Sequence, residues 1–248
     1  MTLRTLEVCA DSIESVAAAA QGGATRVELC SGLSEGGVTP SVGFVKAALA
    51  QGIKVNVLIR PRGGDFIYTP EEADCMITDI KTFVKEGVNG VVIGALTPDG
   101  NIDMELCRRL VDAAEGIEIT FHRAFDLCRN PMEALEDIIS LGCHRLLTSG
   151  QATSAEKGVK LLAQLHHQSA GRITIMAGSG VNETNARMIA TESGVSELHA
   201  SARHKIGSKM TFRNENVSMG AKGSDEYSRM VTSAEIVKKI ISEINSCV

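Results

Sequence analysis

Two cysteines and a set of arginines and histidines carry most of the chemistry this sequence offers. Cys9 and Cys30 each close a short run, Leu6-Glu7-Val8-Cys9 and Arg26-Val27-Glu28-Leu29-Cys30. If those runs are neighbouring parallel strands, about 4.8 Å apart, the two sulfurs share a parity and come within reach of one ion. Soft thiolates with no carboxylate between them select Cu(I) over harder ions. Zinc is less well served, because a structural site takes four ligands and the extra candidates, His122 and His199, end distant runs. Spacing alone favours plain burial of both thiols.

The segment Arg60-Pro61-Arg62-Gly63-Gly64-Asp65-Phe66 is the densest in candidate ligand contacts. Two guanidiniums flank a rigid Pro and two Gly allow close backbone approach, which suits an anion held by bidentate contacts and amides. The plainer alternative is a surface pair of Arg62 with Asp65. Thr148-Ser149-Gly150-Gln151 and Ala177-Gly178-Ser179-Gly180-Val181 resemble phosphate cradles, in which amides at a helix start attract the anion. The anion-binding candidates are therefore Arg60, Arg62, Ser149, Gly150, Gly178 and Gly180. Glu28, His122 and Arg123 are the candidates for acid/base or electrostatic work. Their alternative is a paired ionic plug inside the protein.

These residues need elements that aim them at one place, and the chain supplies a repeat. Strand patterns are expected at Arg4 to Cys9, Arg26 to Cys30, Lys54 to Arg60, Gly90 to Gly94, Glu118 to His122, Arg145 to Ser149, Arg172 to Ala177 and Glu197 to Ala200. Helical patterns alternate with them: Ser12 to Gln21, Ser41 to Gln51, Pro70 to Glu86, Asp103 to Ala114, Pro131 to Leu141, Ala155 to Gln168, Glu183 to Glu192 and Ala234 to Asn245. Capping residues Asp11, Ser41, Asn130, Ser154, Asn182 and Ser233 precede six of these helices, and Gly22, Gly52, Gly87 and Gly142 stand at the ends of four. Eight alternations over 248 residues predict a single (β/α)8 TIM barrel spanning 1–248, which typically closes at about 250 residues. A doubly wound open sheet is the alternative.

Strand parity favours closure. Leu6, Val8, Val27, Leu29, Val55, Val57, Ile59, Ile119, Phe121, Ile173, Ile175 and Leu198 form one apolar set facing the helices. The other parity, with Glu7, Cys9, Glu28, Cys30, Asn56, Arg60, Thr120, His122, Thr148 and His199, points into a polar lumen. Strands of an open sheet covered on both faces read as continuous apolar runs instead. The candidates then cluster at the C-terminal strand ends, where barrel enzymes keep their chemistry. A polar connection at about 201–232 far exceeds the usual ~2–6 residues. It is expected over the mouth as a lid or subunit contact, given Met210, Phe212, Met219 and Tyr227.

Composition bounds the partners. A net charge of −5 gives no basic surface for nucleic acid, so a small-molecule or metal site is expected; the thiol pair and the arginine loop narrow this to a copper ion or a small anionic ligand. Met1 to Ala10 lacks the apolar core of a signal peptide, and no apolar run approaches the ~20 residues of a membrane span. Seven cysteines without a CxxC pair fit a reducing cytosol, with Cys75, Cys107, Cys143 and Cys247 expected as buried hydrophobes. No strand ends in Lys, which argues against a Schiff-base aldolase. No HxH ends the first strand and no GxGxxG follows any strand, which argues against an amidohydrolase metal centre and a dinucleotide site.

The strings Leu6-Glu7-Val8-Cys9, Glu35-Gly36-Gly37-Val38-Thr39-Pro40-Ser41, Arg60-Pro61-Arg62-Gly63-Gly64-Asp65-Phe66, Thr120-Phe121-His122-Arg123-Ala124-Phe125-Asp126 and Asp225-Glu226-Tyr227-Ser228 together resemble the CutC copper homeostasis family. The resemblance implies a cytoplasmic TIM barrel, a homodimer or higher homo-oligomer, and a role in copper handling with Cys9 and Cys30 as Cu(I) ligands. It also implies that Arg60, Arg62, Asp65, His122 and Arg123 form a signature cluster at the barrel mouth. A barrel enzyme on a small anionic or phosphorylated substrate, with His122 or Glu28 as general acid/base, is the alternative that better uses that mouth.

Overall fold

The computed structural model describes residues 3–214, 216, 217, 219 and 225–246. Its chain order is β1 (Thr5–Ala10), α1 (Ile13–Gly22), β2 (Arg26–Leu29), α2 (Val42–Leu49), β3 (Lys54–Leu58), α3 (Pro70–Glu86), β4 (Gly90–Ile93), α4 (Met104–Ala113), β5 (Glu118–Phe121), α5 (Pro131–Ser140), β6 (Arg145–Thr148), α6 (Val159–Ser169), β7 (Thr174–Ala177), α7 (Ala186–Ser193), β8 (Glu197–Ala200), β9 (Arg203–Gly207), β10 (Ser228–Thr232) and α8 (Ala234–Asn245). Strands β1 to β8 pair in sequence order, all parallel, and β8 returns to β1 to close the barrel. Among the described residues no helix is long and apolar enough to cross a membrane.

Local chemistry sets the helix ends. On α3, Thr69 and Glu72 form a reciprocal capping box, Pro70 takes a first-turn position, and Gly87 ends the helix at φ 84°. The cap of α1 is Ser12, which accepts from the Ser15 amide, rather than Asp11. Helix α6 starts at Val159, later than Ala155, because Gly158 is pressed against the Ser149 carbonyl and fixes where the turn can begin. Helix α7 starts at Ala186, since Asn182 spends its side chain on Thr184 and Gly180. Strands β3, β5 and β6 stop short of Arg60, His122 and Ser149, which therefore sit on the loops at the strand ends.

The parity argument holds residue by residue. Leu6, Val8, Val27, Leu29, Val55, Val57, Ile59, Ile119, Phe121, Ile173, Ile175 and Leu198 all belong to the apolar layer between barrel and helices. Glu7, Glu28, Asn56, Arg60, Thr120, His122, Thr148 and His199 are buried polar groups of the other parity. Cys9 and Cys30 join Leu58 and Val92 in a small separate apolar cluster. Cys107 and Cys143 are buried, whereas Cys75 is exposed on α3, a correction that follows from its place on the outer side of that helix. Cys247 lies outside the described residues.

The bottom of the barrel holds a second polar assembly. Arg26 bridges Glu7 (2.5 Å) and Glu197, and Arg145 links Glu197 (2.9 Å) to Glu118 (2.7 Å). These residues stand at or near the strand starts, the end of a barrel associated with stability.

The described residues of the 201–232 connection include a two-stranded hairpin stem. β9 and β10 pair antiparallel, and the Thr232 amide donates to Ser15 Oγ while Arg229 pairs with Glu14 on α1. Among the described residues of this segment, Ser201 and Arg203 at the root of the hairpin reach the mouth cavity.

Candidate functional site

Parallel register brings the thiols together. Cys9 stands opposite Glu28, and Cys30 follows two residues on, just past β2. Their sulfurs lie 3.6 Å apart. Cys30 is fully buried, while Cys9 borders a cavity of about 310 Å³ at the C-terminal strand ends. Sγ of Cys9, a carboxylate oxygen of Glu28 and a ring nitrogen of His199 fall within 4.8 Å of one another.

His199 is oriented from below. β1 pairs with β8 so that Glu7 faces His199, and Nδ1 lies 2.8 Å from Glu7 Oε1. Its Nε2 lies 3.7 Å from Glu28 Oε2. Burial opposes charge on this ring, but Glu28, Cys9 and Glu7 together outweigh it and hold the imidazolium well above the usual histidine range. Burial pulls Glu7 upward too, and there Arg26 and His199 win, holding it at about 2. Burial raises Glu28. The bond to Cys30, burial and the nearby Glu28 keep the Cys9 thiol protonated.

The opposite wall is cationic. Arg60 points inward, with Nη1 donating to the carbonyls of Glu35 (2.8 Å) and Gly37 (3.0 Å) and Nη2 to that of Gly64 (2.7 Å). Its guanidinium stacks on Phe66 at 4.9 Å, and Nε finds no partner. Among the described residues no carboxylate pairs with it, so its charge meets carbonyl dipoles and the Phe66 ring. His122 accepts the Ala124 amide at Nδ1 (3.1 Å), which leaves the proton on Nε2, and Nε2 has no partner. Burial first, then Arg60, push its pKa down to about 3, so the ring is a neutral donor.

The remaining anion-site candidates do not converge as expected. Arg62 turns outward, with Nε on Glu72 (2.6 Å), Nη1 on Asp65 (3.0 Å) and Nη2 on the Ile67 carbonyl (2.7 Å), all local partners at the start of α3. The cradle at 148–151 is filled by the chain's own carboxylate: Asp126 accepts from Thr148 Oγ1, the Ser149 amide and hydroxyl, and the Gln151 amide. Ser149 and Gly150 accordingly lie behind the cavity wall. Gly150 is needed for packing, because it has φ 69° and an added Cβ would meet the Gly158 carbonyl at 2.4 Å. Gly178 likewise packs under Leu147, where a Cβ would come within 2.5 Å, and its amide bonds Thr148. Of the four loop candidates only Gly180 lines the cavity. Arg123 also lines it, braced by Asp126 (2.7 Å) and Ser149 (3.2 Å).

Gly158 itself gives a direct check on this loop packing. A Cβ there would sit 1.9 Å from the Ser149 carbonyl, so Gly158→Ala is expected to cost about 1–3 kcal/mol by overpacking. Urea unfolding reads the loss, and an unchanged midpoint would show that the 149–158 contact yields freely.

Sequence reading overlooked Arg203 as part of the wall, and named Ser179, Val181 and Phe66 only within their loops. Arg203 follows β8 by three residues, so a slightly wider window on the strand ends reaches it. Ser179 gives no such signal, because its φ of 82° appears only in the backbone.

A family model described as the CutC family matches residues 4–204. A CutC family protein of Bacteroides thetaiotaomicron is 51% identical over 243 residues, covering 97% of this chain and 98% of the relative. One from Parabacteroides distasonis is 52% identical over 241 residues, covering 96% and 99%. The solved CutC of Streptococcus agalactiae, whose description assigns it provisionally to copper homeostasis, superposes with a TM-score of 0.77 at 33% identity, over 80% of this chain and 98% of its own. A thiamine phosphate pyrophosphorylase from Pyrococcus furiosus shares the barrel alone, at 13% identity and a TM-score of 0.59 over 98% and 96% of the two chains.

Proposed function

Because the chain belongs to the CutC family, we propose that it binds Cu(I) as cargo through Cys9 and Cys30 in copper homeostasis. The carrying observation is the 3.6 Å separation of the two sulfurs. The donor set fits a soft monovalent ion: the two thiols, with Glu28 and His199 beside Cys9, the ring becoming a ligand only after shedding its proton. Both thiols must lose protons to the ion, so affinity rises with pH. A cytoplasmic place belongs to the same reading, since such thiols persist where they stay reduced. A homodimer or higher homo-oligomer does too, supported by the exposed Met210, Phe212 and Met219 between β9 and β10.

Anaerobic Cu(I) titration against a chromophoric chelator tests this. The reduced protein is expected to take about one ion per chain, and Cys9→Ser or Cys30→Ser to abolish that site, because one thiolate cannot complete a two-sulfur geometry. Unchanged stoichiometry and affinity in both variants would dispose of the assignment.

A second reading is favoured by the cationic wall, where a buried Arg60 without a carboxylate partner faces the same cavity as an unpaired His122 Nε2. In it the protein is an enzyme on a small anionic or phosphorylated substrate. Arg60 and Arg123 act as clamps and Glu28 as general acid/base. His122, with Nδ1 engaged, serves as a fixed donor rather than a proton carrier.

A further inference from the structure

Resting on that second reading, we propose that the cationic wall binds a small phosphate monoester that also carries a carbonyl or carboxylate oxygen. The phosphate lies on residues 179–181 and Arg203, and the second oxygen accepts from His122 Nε2.

Three observations assign the two ends. Ser179, Gly180 and Val181 are successive residues of the cavity wall whose amides find no acceptor among the described residues. Ser179 and Gly180 both hold positive φ, 82° and 71°. Three neighbouring amide donors match a terminal group with three oxygens better than a two-oxygen carboxylate.

Arg203 joins them from the root of the hairpin. It lines the same cavity, takes part in no ion pair among the described residues, and has a buried Nε without a partner. An arginine in that position adds planar donors to a phosphate. The 148–151 loop, by contrast, is closed to the ligand because Asp126 already holds its amides.

At the other end stands His122, 5% exposed, lacking a partner for Nε2. A buried donor left unpaired is costly, and a ligand oxygen arriving there recovers that cost. Because the ring is neutral, that oxygen gains a directed hydrogen bond, while Arg60 beside it supplies the charge. A cavity of about 310 Å³ is at the small end for ligand pockets, roughly 300–1,000 Å³, which suits a ligand of a few carbons.

Calorimetry with phosphoglycolate, inorganic phosphate and glycolate as probes tests the two-ended site. Phosphoglycolate is expected to bind at least tenfold tighter than either fragment. His122→Phe should reduce that advantage to threefold or less while leaving inorganic phosphate binding unchanged. Arg203→Gln, at the partly exposed rim where folding is not at risk, should weaken phosphate and phosphoglycolate alike. In the wild type, the Nε2-bound proton of His122 should shift in the NMR spectrum on adding phosphoglycolate and stay in place on adding phosphate.

Equal binding of phosphoglycolate and phosphate, indifferent to His122→Phe, would overturn the two-ended site and leave the anionic-substrate reading standing. Glycolate binding tighter than phosphate would put a carboxylate at 179–181 and also overturn it. No binding of any probe to the wild type would remove both.

Discussion

Arg26→Met is expected to destabilise the protein by about 3–5 kcal/mol, the cost of removing one partner from a buried ion pair. Arg26 is 3% exposed and sits between Glu7 and Glu197. Its loss leaves Glu7, wholly buried, with His199 alone to offset the burial that pulls its pKa upward. Glu197 keeps Arg145, so the damage concentrates on strand β1. Urea unfolding at neutral pH should show a lower midpoint with an unchanged slope. Adding Glu7→Gln to Arg26→Met should recover part of the loss, because the orphaned charge goes with it. A deficit under about 1 kcal/mol would mean that water reaches the barrel bottom and screens Glu7.

The acid limb of the stability profile should belong to His122. Its pKa falls from 6.5 unfolded to about 3 in the fold, so between those values the unfolded chain binds the extra proton. Stability from this group is full above pH 6.5 and falls as pH drops toward 3. At about 1.36 kcal/mol per unit, some 2–3 kcal/mol is gone by pH 4.5. Glu7, lowered from 4.5 to about 2, begins to lose its share only below 4.5. His199, raised, is fully stabilising below 6.5 and loses its contribution on the alkaline side. Glu28, also raised, works the opposite way in acid, since the native state protonates first. The difference between wild type and His122→Phe isolates the histidine: the variant should lose markedly less stability between pH 7 and 4.5. Parallel profiles would show that His122 is protonated in the fold and end its role as a neutral donor.

What the sequence made legible was whatever depends on period and position along a strand. Alternation of Val55, Asn56, Val57 and Leu58 separates the helix-facing layer from the lumen, and the matching parity of Cys9 and Cys30 brings their sulfurs to 3.6 Å. Direction beyond the strand was not legible. Arg60 and Arg62 look equivalent in sequence, yet Glu72, in the first turn of α3, captures Arg62, so that of the two only Arg60 lines the cavity. The 148–151 loop reads as an open anion cradle because nothing local reveals that Asp126, from the preceding strand's loop, will occupy it. Partnerships across loops are set by tertiary packing, which a single sequence does not encode at short range.

Closure between the first and last strands carries a kinetic consequence. β1 is completed by β8 through their parallel register and Glu7 with His199, while Arg26 of β2 reaches Glu197 of β8 and the Arg4 amide ahead of β1 meets Asn245 of α8. About 170 residues separate Cys30 from His199, and a ribosome adding ~5–20 residues per second takes roughly 10–30 s to span them. Throughout that interval the two thiols exist on an unsealed nascent sheet, without the imidazole and the wall that later shelter them. A metal ion or oxidant met then engages an open chain, and such binding favours the unfolded ensemble. Synthesis in copper-loaded or oxidising surroundings should therefore lower the yield of folded barrel, whereas the finished protein tolerates the same exposure.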